Sequence, residues 1–145
     1  MWRGPDPLSD GRVVNKDGYE AVWEHLAGRR IHYAEPAYTE PVVARLAGFH
    51  RAPLADQPGV TAALLGTFTA ARTAITAVGV AAGATFATTS APAGQLVFVL
   101  DGALDAGPAP LERHDAAHLE PGEAAELKAT EDADLLVIDL PQVPR

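Results

Sequence analysis

The periodicity of apolar positions along the chain changes near residue 28. Before that point, apolar side chains follow the i, i+3, i+4 and i+7 spacing of an amphipathic helix: Tyr19, Val22, Trp23 and Leu26. Asp17 can cap such a helix and Gly28 can end it. The pattern predicts a helix over 17–27 whose apolar stripe is packed, preceded by an extended arm rich in Pro, Gly and Asp.

After residue 28, the apolar positions form short runs that turn residues separate. Two brief runs, 29–33 and 41–46, lie between Pro or Gly residues and predict short strands. Four longer runs are rich in Val, Ile, Leu, Phe and Thr: 60–68, 72–80, 95–100 and 134–140. Many short strands with regular turns predict an all-β sandwich or barrel.

Composition and charge narrow the class of protein. A chain of 145 residues, 48% of them hydrophobic, predicts one domain with a substantial core. The net charge of -8, without a basic run, argues against nucleic acid as a partner. The absence of cysteine excludes disulfides and thiolate chemistry. Because no apolar run is long enough to cross a bilayer and no secretion signal is visible, we expect a cytoplasmic protein without a membrane partner.

Two glycines, Gly83 and Gly102, frame the most informative spacing in the chain, with Thr89, Ala91 and Gln95 between them. The frame resembles the first motif of the cupin barrels, which runs glycine, five residues, His, one residue, His, three or four residues, Glu, six residues, glycine. Thr89 and Ala91 occupy the two histidine places and Gln95 occupies the glutamate place. Because none of the three is a useful ligand for a divalent metal, the resemblance implies a cupin without the usual metal and with no cofactor.

The second cupin motif has a counterpart at Pro121 and Gly122, with Ala125 near its histidine place. The segment 115–140 resembles the closing strands of pirin-like cupins in its pattern of turn and apolar residues. The resemblance implies an all-β fold, a cupin-type jelly-roll β-barrel, formed by residues 29–145. Residues 1–28 form the N-terminal arm and short helix of what is a single domain overall.

In the barrel that the resemblance implies, the metal-ligand places point into the lumen. Side chains two apart along a strand share a face, so we expect Thr89, Gln95, Val97 and Val99 to line the lumen and bind a ligand. Arg72, at the start of a strand, is a further candidate because a guanidinium can clamp a carboxylate or an enolate. Alternatively, Thr89 and Gln95 only hydrogen-bond neighbouring backbone inside a filled core, and Arg72 is a solvated charge.

Three histidines, His50, His114 and His118, lie in or near the predicted barrel and are candidate catalytic acids or bases. His114 and His118 share a face if their segment is extended, and Glu112 then lies on that face as well. These residues could therefore form a relocated metal site. The simpler alternative for each histidine is a solvent-facing or hydrogen-bonded side chain.

The first functional hypothesis is a metal-independent cupin enzyme, an isomerase, epimerase, cyclase or lyase, acting on a small organic molecule in the lumen. The second is a module of the same shape that binds or senses a small molecule without turnover. The third is a metal-dependent oxygenase with relocated ligands. A sensing module often needs an attached output domain, and because we expect none in this chain, the enzyme is slightly favoured over the module. Because cupins resemble one another in pairing through sheet edges or N-terminal strands, we also predict a homodimer.

Overall fold

The computed structural model describes residues 2–5, 13–33, 35, 38, 40–68 and 72–141. The chain forms two compact units, Met1–Glu40 and Pro41–Arg145. The sequence-based boundary at residue 28 lies inside the first unit and stays a prediction. Among the described residues, no helix has the length and apolar character that crossing a bilayer requires.

Among its described residues, the first unit contains one pair of strands and one helix. Strand β1 (Trp2–Pro5) pairs antiparallel with β2 (Val13–Lys16), a pairing inside the predicted arm that the sequence pattern did not indicate. Helix α1 spans Gly18–Ala27. The Asp17 side chain accepts hydrogen bonds from the first turn of the helix, and Gly28 ends it in the left-handed conformation. The predicted helix and both of its caps are thereby confirmed.

The prediction that the apolar stripe of α1 is packed is wrong for most of its members. Tyr19 is 69% exposed, Leu26 is 80% exposed, and Val22 is also exposed. The buried residue of the helix is instead Glu24, at 2% exposure, which is ion-paired with Lys16 of β2. A buried carboxylate is tolerated here because a cation and a backbone amide satisfy it, and the helix is therefore anchored through its polar face.

In the part of it that the structure describes, the second unit contains ten strands. They are β3 (Ala52–Pro53), β4 (Val60–Phe68), β5 (Thr73–Val80), β6 (Thr85–Ala87), β7 (Gln95–Asp101), β8 (Leu104–Asp105), β9 (Pro110–Leu111), β10 (Ala116–Leu119), β11 (Glu126–Ala129) and β12 (Ala133–Asp139). The four long strands agree with the predicted runs to within about two residues at each end. The two strands predicted at 29–33 and 41–46 are wrong. Both segments are irregular, apart from a 3-10 turn at Leu46–Gly48, and no strand pairs with either of them in the described part of the chain.

The strands of the second unit form two sheets that enclose one core. The larger sheet has the order β10-β7-β12-β5-β4-β3, and the smaller one has the order β6-β11-β8-β9. Every pairing within them is antiparallel. The buried cluster between them takes alternate side chains from β5, β7 and β12 on one side, and Phe86, Leu104 and Leu127 on the other. The all-β jelly-roll prediction is thus confirmed.

Candidate functional site

Strands β7 and β12 bring two polar side chains together at one end of the core. Along β7 the inward positions are Gln95, Val97 and Val99, and Gln95 lies opposite Asp139, the last residue of β12. Val97 and Val99 are completely buried in the apolar cluster. The inward face of β7 therefore changes from apolar to polar at Gln95, where the core ends.

Gln95 and Asp139 are hydrogen-bonded through only one end of the Gln95 amide. Gln95 Nε2 donates to Asp139 Oδ1 over 2.7 Å. Gln95 is only 3% exposed, and its Oε1 atom has no hydrogen-bond partner among the described residues. Leaving a buried acceptor unsatisfied costs about 1–3 kcal/mol. The hydrogen bond from Gln95 therefore fixes one carboxylate oxygen of Asp139 at the end of the core.

Two cavities share Gln95, Asp139 and Thr89 in their walls, and we call them together the Gln95–Asp139 cleft. The inner cavity has a volume of about 190 Å³ and is mostly apolar, with Leu54, Ala62, Val78, Phe86 and Val137 in its wall. The outer cavity has a volume of about 280 Å³, and its wall is mixed, with Arg72 and Ser90 beside apolar residues such as Leu140. The cleft therefore combines a mainly apolar inner cavity, a polar region where the two cavities meet, and an outer cavity of mixed polarity.

The turn between β3 and β4 is fixed beside the inner cavity by Gln57. The Gln57 side chain reaches across to β6, where Nε2 donates to the Ala87 carbonyl and Oε1 accepts from the Ala87 amide. Both residues also line the inner cavity. The amide of Gln57 thus joins the two sheets next to the cleft, a contact that nothing in the linear sequence indicates.

The four metal-ligand places of the cupin motifs do not fit a metal. Thr89, Ala91 and Gln95 lie around the outer cavity, as the motif spacing predicts. Ala125 stands beside the neighbouring Thr88, whose Oγ1 accepts from the Ala125 amide over 2.9 Å. A hydroxyl, an amide and two methyl groups do not supply the imidazole or carboxylate ligands that such a metal needs.

The three candidate catalytic histidines lie outside the lining of the cleft. All three are exposed, and His50 precedes β3. His118 faces Glu120 at 3.7 Å, and the ring of His114 stacks near Phe98 with 6.4 Å between centroids. Their catalytic role remains a prediction that the geometry does not favour.

The expectation that His114 and His118 share one strand face is wrong. Residues 113–114 form a turn, His114 has a left-handed φ of 74°, and β10 begins only at Ala116. Asp115 stabilises that turn by accepting from the Glu112 amide. Within the described residues, no group of three or more His, Asp or Glu side chains is placed to hold a metal ion, so the relocated site finds no support there.

Among the candidate ligand-binding residues, the structure brings Arg72, Thr89 and Gln95 to one cleft, whereas Val97 and Val99 are core residues that do not line it. Asp139 is the site residue that the sequence analysis missed. The sequence did contain an indication of Asp139. It follows Leu135 and Val137 at every second position of β12, so it lies on the inward face and is an acidic residue among apolar ones. Recognising it requires the register between β7 and β12.

Comparison with known proteins agrees with this architecture. Residues 70–140 match a family model described as the quercetinase C-terminal cupin domain. No curated protein has a sequence that matches the chain significantly.

Several solved structures share the fold at low sequence identity. A putative acetylacetone dioxygenase from Methylibium petroleiphilum PM1 superposes with a TM-score of 0.62 at 14% identity, over 74% of this chain and 81% of that one. KdgF from Halomonas sp. gives a TM-score of 0.60 at 14% identity, over 72% of this chain and 96% of that one. The polyketide cyclase RemF from Streptomyces resistomycificus gives 0.58 at 13% identity, over 73% and 83%.

Proposed function

Because the chain belongs to the cupin superfamily, we propose that its barrel binds a small organic molecule in the Gln95–Asp139 cleft and acts on it without a metal. The observation that carries the proposal is the partly buried carboxylate of Asp139, which lines both cavities and is held by Gln95. A ligand donor that reaches a partly desolvated carboxylate gains a charge-assisted hydrogen bond, so binding is favoured at that position.

Asp139 is the group in the cleft best suited to proton transfer. Gln95 holds one of its carboxylate oxygens in place, and both residues line the inner and outer cavities. A positioned carboxylate can accept a proton from a ligand carbon or hydroxyl and return it elsewhere. This chemistry suits an isomerase, epimerase, cyclase or lyase. Fold likeness does not choose among them, because the similar structures include both a putative acetylacetone dioxygenase and a polyketide cyclase.

The alternative is a binding or sensing module without turnover. The observation that favours it is the small number of titratable groups at the site. Of the described residues that line the two cavities, Asp139 and Arg72 alone carry an ionisable side chain. A guanidinium such as that of Arg72 is a poor proton carrier. Reactions that need both an acid and a base would therefore have to use the ligand or water for one of these roles.

A screen of small organic acids, amines, alcohols and sugars in the presence of a chelator tests the proposal. Thermal shift and ligand-observed NMR would report binding, and NMR in deuterated water would report proton exchange or product. We expect at least one compound to bind, and Asp139→Asn to weaken it. The matched control is Glu126→Gln on the exposed side of β11. Binding that is equal in both variants would place the ligand elsewhere, and binding without exchange or product would favour the module.

We also propose a cytoplasmic homodimer, on the basis of the cupin resemblance and of the absence of an apolar run in the sequence that could span a bilayer. Size-exclusion chromatography with light scattering at micromolar concentration tests the association. A monomer under those conditions would contradict it.

A further inference from the structure

The inner cavity and its polar rim together have the shape of an amphipathic site. Six of the eleven residues that line the inner cavity are apolar, and the three that it shares with the outer cavity, Thr89, Gln95 and Asp139, are all polar. A ligand that fills both parts needs an apolar stem at one end and hydrogen-bonding groups at the other.

The polar rim offers a carboxylate acceptor that is held in position. Gln95 Nε2 donates to Asp139 Oδ1, while Gln95 Oε1 is buried without a partner among the described residues. Asp139 presents its second carboxylate oxygen. The Gln57 amide, which also lines the inner cavity, makes one hydrogen bond to Ala87 from each of its ends. A ligand group that meets the carboxylate therefore binds best as a hydrogen-bond donor.

The charge of the rim favours a cationic donor. Asp139 is partly buried, and the ion pairs between described residues do not include it. A carboxylate in a partly desolvated cleft gains most from a ligand that brings a positive charge as well as N–H groups. The chain as a whole has a net charge of -8, which attracts cations and repels anions at longer range.

We propose that the Gln95–Asp139 cleft is selective for small primary amines, bound as ammonium ions with an apolar stem in the inner cavity. The ammonium group donates to the Asp139 carboxylate, and its remaining hydrogens lie within the rim near the Thr89 hydroxyl. This inference names the ligand class of the proposed function and rests on it. Arg72, at the mouth, adds a contact for a carboxylate when the amine carries one.

A series of three ligands with one branched stem tests the assignment: isoamylamine, isoamyl alcohol and isovalerate. Calorimetry or ligand-observed NMR at neutral pH should give an affinity for isoamylamine at least about tenfold above that for the alcohol, because bonds to charged groups are stronger than neutral ones. Isovalerate should bind more weakly still. Asp139→Asn should remove about tenfold or more of the amine affinity and little of the alcohol affinity. Gln95→Met should weaken the amine by a smaller factor, and Glu126→Gln should leave all three unchanged.

The outcomes separate the two proposals. If the alcohol or isovalerate binds more tightly than the amine and Asp139→Asn alters that binding, the amine assignment is wrong and the proposed cleft stands. If the amine binds but Asp139→Asn and Glu126→Gln behave alike, the assignment is wrong because the ammonium lies elsewhere. If none of the three ligands, nor any compound of the broader screen, binds in an Asp139-dependent way, both proposals fail.

Discussion

Gln57 and Ala87 are joined by two hydrogen bonds of 3.0 Å and 2.9 Å. The side-chain amide of Gln57 pairs with the backbone N–H and C=O of Ala87, as a neighbouring strand would. Ala87 lies at the end of β6, the edge strand of the smaller sheet. The contact therefore satisfies an exposed sheet edge and positions the β3–β4 turn with the same side chain.

Gln57→Ala should destabilise the fold by about 1–3 kcal/mol, since it removes two neutral hydrogen bonds. Amide hydrogen exchange at Ala87 should accelerate more than exchange in the centre of β7. Asp56→Ala, at the exposed neighbouring position of the same turn, is the matched control. Equal effects of the two substitutions on Ala87 exchange would show that the turn is held by other contacts.

The two glycines that frame the first motif should differ sharply in their tolerance of a methyl group. Gly83 and Gly102 have φ values of 80° and 81°, so replacement by alanine strains the backbone equally at both. A Cβ atom at Gly83 would meet nothing within 4 Å, whereas one at Gly102 would overlap the Asp132 carbonyl oxygen. We expect chemical denaturation to give a loss of about 1 kcal/mol for Gly83→Ala and about 3 kcal/mol or more for Gly102→Ala. Similar losses would contradict the close approach.

The ion pair inside the first unit should make its stability depend on pH. The hydrogen bond from Lys16 lowers the pKa of Glu24 below its ordinary value of 4.5, against the opposing effect of burial. Because the pKa is lower in the folded state, ionised Glu24 stabilises the unit above pH 4.5, and this contribution is lost as the pH falls through the folded pKa.

An acid titration followed at the Ile31 amide, which donates to Glu24 Oε1 over 3.2 Å, should report this transition. Glu24→Gln should abolish it, and Glu40→Gln, at an exposed position, should not. An Ile31 signal that titrates at or above the ordinary carboxyl pKa would contradict the ion pair.

His114→Gly should stabilise the protein by about 0.5–1 kcal/mol. The left-handed φ of 74° is unfavourable for histidine and easily adopted by glycine, and this gain exceeds the loss of the contact with Phe98. The same substitution should leave ligand binding unchanged, because His114 does not line the cleft. Lost binding with an intact fold would restore the catalytic role that the sequence pattern suggested for this histidine.

The sequence predicted elements that are determined locally and missed those determined by pairing. The side chain of Asp17 caps the start of α1, and the backbone freedom of Gly28 allows the left-handed conformation that ends it. The four long strands follow from uninterrupted runs of β-forming residues. The runs at 29–33 and 41–46 have similar residues, but no strand pairs with them, and strand propensity without a partner is weak. The stripe of α1 failed for a related reason, because Lys16 from β2 anchors the polar face instead.

The site was predictable only where its residues follow a local pattern in the sequence. Motif spacing placed Thr89 and Gln95 correctly at one cleft, and the alternation of β7 explained why Gln95 points inward. Asp139 and Gln57 lie 44 and 30 residues away from their hydrogen-bond partners, so no local pattern connects them. Val97 and Val99 share the inward face with Gln95, and only the depth of the core separates their environment from the cleft.

The irregularity between β7 and β12 gives the two strands different tolerance of a change in length. Asp134 lies opposite Asp101 and Leu135 opposite Val99, so Leu100 is an extra residue on β7. Deleting Leu100 would leave one residue of β7 opposite each residue of β12, so the turn at Gly102 and the pairing of Gln95 with Asp139 could both persist. Deleting a residue from β12 would instead leave two unmatched residues on β7, and either the turn or the pairing of Gln95 with Asp139 would have to move.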